Sequence, residues 1–185
     1  MMVDTASQLD RRAFMKLGGA AMASLVIPQW AWGDENLISE KKLSFYNIHT
    51  GEKCSSVFWA EGEYIPEGIA EINKILRDHR TGDVAQMDIE VFELLYNLQK
   101  KMDAKGTFNV ISGFRSQKTN AMLNKTTNGV AKKSMHTLGK AIDINLPGHK
   151  LAMLRKAAID AKTGGVGYYP SSNFVHVDVG RVRQW

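Results

Sequence analysis

Cysteine is almost missing: Cys54 stands alone among 185 residues. No internal disulfide can form, even in an oxidising compartment, and a zinc site built from cysteines is excluded. Long apolar runs are missing too. No segment reaches the ~18 to 20 continuous apolar residues of a membrane-spanning helix, so stable membrane insertion is not expected once the N-terminus is processed. There is no internal repeat and no low-complexity tract. No Lys/Arg cluster interleaves with aromatics as in nucleic-acid grooves, which argues against that class of partner. The glycine-rich stretch Gly164-Gly165-Val166-Gly167 runs into Tyr168-Tyr169-Pro170 rather than into a helix. It reads as turn chemistry, not as a phosphate cradle.

Residues 1–33 read as an address. Asp10-Arg11-Arg12-Ala13-Phe14-Met15-Lys16 resembles the twin-arginine export motif, and a run of small and apolar residues follows from Leu17 to Ile27. Pro28 breaks it, and Ala31-Trp32-Gly33 offers small residues at both positions that a signal peptidase reads. Cleavage is expected between Gly33 and Asp34, with the twin-arginine translocase as export partner and the periplasm as destination. The formal charge is +5, a mildly basic balance that favours polyanions. For a periplasmic protein these are anionic wall polymers.

Residues 34–185 are expected to form one α+β domain: an N-terminal hairpin and helices packed on a mainly antiparallel sheet. The hairpin joins Leu43–Ile48 to Cys54–Trp59 across His49-Thr50-Gly51-Glu52. Residues 34–42 read as loose. Pro66 opens a helical pattern that runs through Arg80, and Asp88 caps a second helix. Thr107–Ile111 reads as a strand, residues 117–124 as a short helix, and Leu151–Ala161 as a longer one. Ala141–Asn145, Val166–Tyr169 and a final Asn173–Val179 read as strands.

The unusual polar residues lie in those strands. Ile142 and Ile144 flank Asp143; Val175, Val177 and Val179 flank His176 and Asp178. Alternation puts His176 and Asp178 on the face opposite the valines, where something must compensate a carboxylate and an imidazole. His136 lies just before the Asp143 strand. Two histidines and a carboxylate form a common catalytic zinc set with an open position for water. Spacing alone favours independently satisfied polar residues over a metal site. There is no His-Glu-x-x-His helix. A Ser134–His136–Asp143 triad is conceivable, although no nucleophile elbow surrounds Ser134. His49, His79 and His149 read as solvated or capping residues.

Ser134-Met135-His136-Thr137-Leu138-Gly139-Lys140-Ala141-Ile142-Asp143 resembles the Ser-x-His-x-x-Gly-x-Ala-x-Asp signature of the lysostaphin/D-Ala-D-Ala-metallopeptidase/Hedgehog-type zinc peptidases. Ile111-Ser112-Gly113-Phe114-Arg115-Ser116, the Gly164–Pro170 segment and Phe174-Val175-His176-Val177-Asp178 narrow the resemblance to the murein endopeptidase K family, over nearly the whole chain. The resemblance implies one Zn2+ per chain held by His136, Asp143 and His176. It implies Arg115 as a catalytic and substrate-binding residue, suited by its planar guanidinium to a carboxylate or a polarised carbonyl, and Ser134 as a residue shaping the site. Many members of the wider group place a general base two or three residues before the third ligand. Here those positions are Phe174 and Asn173, which take no proton. Asp178 is the nearest carboxylate on the strand face, as general base or as a group orienting a ligand or an arginine.

The implied substrate is peptidoglycan. The implied reaction is hydrolysis of peptide cross-links, diaminopimelate–diaminopimelate (3–3) links first and D-Ala–diaminopimelate (4–3) links beside them. Two alternatives stand: a zinc D,D-carboxypeptidase acting on stem peptides, and a non-catalytic peptidoglycan-binding protein that retains the zinc site.

Overall fold

A computed structural model describes residues 40–127 and 130–185; the export leader expected over residues 1–33 lies outside them. Every second residue turns inward along the first hairpin. Leu43, Phe45 and Asn47 are buried on β1 (Glu40–Asn47), and Ser56 and Phe58 on β2 (Lys53–Ala60). A two-residue β3 (Glu63–Tyr64) follows. Pro66 opens α1 (Pro66–Ile75), and Asp88 Oδ1 accepts the Glu90 N–H at 3.0 Å to start α2 (Ile89–Lys101). Lys100 and Lys101 in the last turn complement the helix dipole. Then come β4 (Phe108–Ser112), α3 (Gln117–Thr126), β5 (Ala141–Asn145), α4 (Leu151–Ala161), β6 (Gly165–Tyr169), β7 (Phe174–Asp178) and β8 (Arg183–Gln184).

The strands form one eight-stranded sheet in the order β3-β2-β1-β4-β5-β7-β6-β8. The pairs β1–β4 and β6–β8 are parallel and the others antiparallel. The α+β class and the antiparallel preponderance agree with the sequence reading, but several details are corrected. The N-terminal hairpin does not pack on the sheet; β1 pairs with β4 and extends it. Strand β1 begins at Glu40, within the segment read as loose. Helix α1 stops at Ile75 rather than Arg80, because the apolar stripe ends at Leu76 and the polar residues after it fold into a loop. Asn173–Val179 is not the last strand, since β8 follows it.

Ile142, Ile144, Val175 and Val177 share one apolar cluster with Phe92 and Leu95 of α2 and Leu154 of α4. Each such buried side chain contributes about 1.5–3 kcal/mol. Those residues occupy one face of β5 and β7, so Asp143, His176 and Asp178 occupy the other. The helices thus anchor the strands from behind and leave the polar face free.

The loop after α1 is organised by Asp78, which is 2 % exposed. Its carboxylate accepts the Arg80 N–H at 3.0 Å, the Ser116 N–H at 2.9 Å and the Ser116 hydroxyl at 2.7 Å. Burial alone would raise the Asp78 pKa, but hydrogen bonds from Thr119, Arg80 and Ser116 outweigh it and hold the pKa well below the usual carboxylate range. A depressed folded pKa means stability that is complete above the unfolded value of about 3.9 and is lost as pH falls through the interval below it. Thermal melts of Asp78→Asn should therefore be destabilised near pH 6, and their difference from wild type should shrink toward pH 2. A constant difference across that range would remove the carboxylate from the account.

Candidate metal centre

The two turns that carry the site are laced together. In one, Ser116 ends the β4–α3 connection and accepts the Thr119 N–H at 3.2 Å as the N-cap of α3. In the other, a single 3-10 turn, Met135–Leu138, presents His136 and ends at Gly139. Gly139 has φ +68°, and a Cβ there would stand 2.6 Å from the Gln86 carbonyl oxygen. A side chain is excluded by conformation and by space. The Gly139 carbonyl accepts the Asp88 N–H at 2.9 Å, which ties this turn to the start of α2. Between the turns, the Arg115 N–H donates to the His136 carbonyl at 3.2 Å, and His136 Nδ1 lies 2.8 Å from the Gly113 carbonyl.

Strand register brings in the other two donors. Asp143 on β5 pairs with His176 on β7, and Ala141 with Asp178. Asp143 Oδ1 lies 2.8 Å from His176 Nδ1 and 3.3 Å from His136 Nε2, and the two histidine nitrogens are 3.2 Å apart. All three residues are buried. Among the described residues, this is the group of histidines and carboxylates able to hold a metal ion.

The donor set fits zinc. Carbonyl and carboxylate oxygens only accept, so the Gly113 contact puts the His136 proton on Nδ1. The 3.1 Å contact with Asp178 Oδ2 likewise puts the His176 proton on Nε2. Both inward nitrogens then turn lone pairs toward a carboxylate oxygen, an arrangement that calls for a cation. Tetrahedral zinc with bonds of about 2.0–2.1 Å spaces its donors by roughly 3.3 Å, close to two of the three edges. The third edge has the length of a hydrogen bond from a second proton on His176. Burial alone would lower the His176 pKa, but bonding to Asp143 and Asp178 overturns this and raises it. Burial would likewise raise the Asp143 pKa, and the two histidines bring it well below the usual range.

The remaining site candidates fall into different places. Arg115 and Ser134 line a cleft of about 370 Å3 in front of the three donors, with Lys133, Tyr169, Phe174, Arg183 and Trp185. The Arg115 guanidinium lies 3.8 Å from Asp143 Oδ2 and makes only long bonds, 3.4 Å to Asn120 and 3.3 Å to Ser112. Its Nε is buried without a hydrogen-bond partner. Burial lowers the Arg115 pKa against the attraction of Asp143. Ser134 Oγ accepts the His136 backbone N–H at 3.3 Å, while both ring nitrogens of His136 are engaged elsewhere, so the geometry of a serine triad is absent.

Asp178 does not line the cleft. Its side chain is 0 % exposed and takes donors from Gly165 N, Gly180 N, Arg183 and His176. Burial would raise its pKa; His176 and Arg183 dominate and lower it. Asn173 has φ +53° and forms the β6–β7 turn, a conformation asparagine tolerates, and Phe174 stacks on Tyr169 at 4.5 Å. The positions where the wider group carries a base are thus occupied by turn and wall residues. His49 and His79 stack on each other at 3.9 Å away from the cleft, and burial, reinforced by His49, pushes His79 down to about 4. His149 is half-buried, its Nδ1 3.4 Å from the Pro147 carbonyl.

Sequence reasoning missed Arg183, Tyr169 and Trp185. The signal lay in Gly164-Gly165-Val166-Gly167, which is mostly strand rather than turn. A Cβ at Gly165 would stand 2.5 Å from both Asp178 Oδ2 and Arg183 Nη1, and one at Gly167 would stand 2.7 Å from the Trp185 ring. The small residues of β6 make room for the Asp178–Arg183 pair and for the indole.

Residues 36–185 match the family described as Peptidoglycan L,D-endopeptidase MepK. The chain is 40% identical over 176 residues to the Peptidoglycan L,D-endopeptidase MepK of Escherichia coli (strain K12), covering 95% of this chain and 97% of that one. The Shigella flexneri protein of the same name gives the same figures. The Probable peptidoglycan L,D-endopeptidase MepK of Haemophilus influenzae is 38% identical over 177 residues, 95% of either chain. With its full site-bearing region matched, the chain belongs to the MepK family of M15-type metallopeptidases.

Proposed function

We propose that this protein is a zinc-dependent endopeptidase that hydrolyses peptide cross-links in peptidoglycan, with a preference for diaminopimelate–diaminopimelate links. The observation that carries the reading is the triangle of His136, Asp143 and His176, which opens on a cleft beside a guanidinium with unused bonding capacity. The names of the relatives specify an L,D bond. A 3–3 link joins an L-centre of one diaminopimelate to a D-centre of the next, whereas a 4–3 link joins two D-centres. The 3–3 bond is therefore the preferred substrate, with 4–3 links secondary.

His136, Asp143 and His176 hold the metal, one ion per chain. Bound there, zinc supplies Lewis acidity and the means to make water a nucleophile near neutral pH. Arg115 reaches into the cleft, where its planar donors can grip a substrate carboxylate or the carbonyl oxygen as charge develops on it. Ser134 holds the backbone of the His136 turn. Asp178 fixes the ring of His176 through Nε2 and acts as a positioning residue. Ala131, Lys133 and Ser172 on the rim are exposed, so the cleft opens to solvent. The names of the relatives favour an endopeptidase over a carboxypeptidase.

Peptidoglycan lies outside the cytoplasmic membrane, so the protein acts there. The leader over residues 1–33 supports twin-arginine export to the periplasm, and no helix among the described residues is long and apolar enough to cross a membrane. The test is digestion of defined 3–3 and 4–3 muropeptide dimers by the zinc-loaded protein. Dimers should become monomers, 3–3 dimers faster; a chelator should stop the reaction and zinc should restore it. Trimming of monomers with dimers intact would establish the carboxypeptidase. Binding to sacculi without products would establish the wall-binding protein.

A further inference from the structure

Among its described lining residues, the cleft has no acid–base side chain of the usual kind outside the metal position. Asp143 is their one side-chain carboxylate, and it faces the metal position with His136 and His176. Asp178 is sealed behind His176, and Ser134 Oγ is held only by a long bond, accepting the His136 N–H at 3.3 Å. Lys133 is exposed at the rim. The remaining candidate that is held in one orientation is the hydroxyl of Tyr169.

Three contacts fix it. Tyr169 pairs with Phe174 across β6 and β7, two residues along the same face from the Gly167–His176 pair. Its ring stacks on Phe174 at 4.5 Å and 18°. Its oxygen accepts the indole N–H of Trp185 at 2.7 Å. An indole nitrogen donates and cannot accept, so the phenolic proton has to point elsewhere, and the described residues offer it no acceptor. Trp185 is itself anchored. Its ring lies over Gly167 and 5.3 Å from the His176 ring, and the Arg183 guanidinium stands 5.0 Å from it. Its backbone N–H donates to Val166 at 3.2 Å, and its carbonyl accepts the Tyr168 N–H at 3.1 Å.

We propose that the Tyr169 hydroxyl donates a hydrogen bond to the scissile carbonyl oxygen as it becomes a tetrahedral oxyanion, alongside Arg115, and that Trp185 is the residue that positions it. This rests on the peptidase reading above. A donor aimed at an oxyanion acts in the transition state, so its removal lowers kcat and leaves KM nearly unchanged.

The experiment is steady-state hydrolysis of 3–3 muropeptide dimers by the full zinc-loaded chain and three variants. Tyr169→Phe keeps the stack on Phe174 and should lower kcat at least about tenfold, with KM within about twofold and the zinc content of wild type. Trp185→Phe keeps an aromatic ring over Gly167 but loses the N–H. It should lower kcat by a smaller factor, again at constant KM. Gly167→Ala, which displaces the indole, should behave like Trp185→Phe. Wild-type kcat in Tyr169→Phe, or a loss confined to KM, would overturn the proposal while the peptidase reading stands. Wild-type kcat in Trp185→Phe would overturn the role of the indole. An inactive wild-type protein with zinc bound would remove the peptidase reading itself, and the proposal with it.

Discussion

His136→Ala should cut dimer hydrolysis by at least about 10³-fold, because a metal supplies several kcal/mol of charge stabilisation to this chemistry and each 1.4 kcal/mol is a factor of ten. The fold should survive the change. His136 sits on a 3-10 turn outside the apolar cluster, and its ring bonds one backbone carbonyl and faces the other two donors. Losing it leaves the Gly113 carbonyl free beside a cleft that water can enter. The variant should therefore keep the far-ultraviolet circular dichroism of wild type, bind less than one equivalent of zinc by elemental analysis, and release no monomers above background. A folded His136→Ala protein that cleaves dimers at the wild-type rate would sink the metal mechanism. A folded one that retains full zinc but loses activity would move His136 from metal ligand to substrate contact.

The donor triangle was legible because strand chemistry exposed it. Polar residues between Ile142 and Ile144, or between Val175 and Val177, stand out against a two-residue period. His136 carried no such flag; only the Ser134–Asp143 segment as a whole brought it in. The hairpin and both long helices were legible from local periodicity. The parallel β1–β4 pairing was not, because it joins residues some 60 positions apart across two helices, and nothing local encodes such a register. The other side of the cleft was hidden for a related reason. Strand β8 is two residues long, too short for any pattern, yet it delivers Arg183 and Trp185. The glycines of β6 were visible, but without β8 their reason was not, and a strand stripped of side chains looks like a turn.

Asp178→Asn separates the two roles the sequence left open for that residue. As a carboxylate it collects donors from Gly165, Gly180, Arg183 and His176. An amide keeps the shape but offers one acceptor oxygen, and its NH2 group faces donors. Breaking a buried charge pair costs about 3–5 kcal/mol. The lower end is expected, because Arg183 retains about a third of its exposure. Denaturant unfolding should therefore show roughly 3 kcal/mol of destabilisation. With the His176 ring no longer oriented, zinc affinity should fall about 10- to 100-fold, as it does when a metal-bound histidine loses its outer partner. The decisive reading is activity at saturating zinc. Loss of a positioning residue only weakens metal binding, so excess zinc should restore most of kcat. A general base contributes about 10²–10⁴ to the chemical step, and that loss would persist however much zinc is added. The side chain is wholly buried behind the imidazole and has four donors already bound to it, which places it out of reach of a water in the cleft. Recovery is the expected outcome, and a persistent loss of 10² or more in fully zinc-loaded protein would return Asp178 to the role of base.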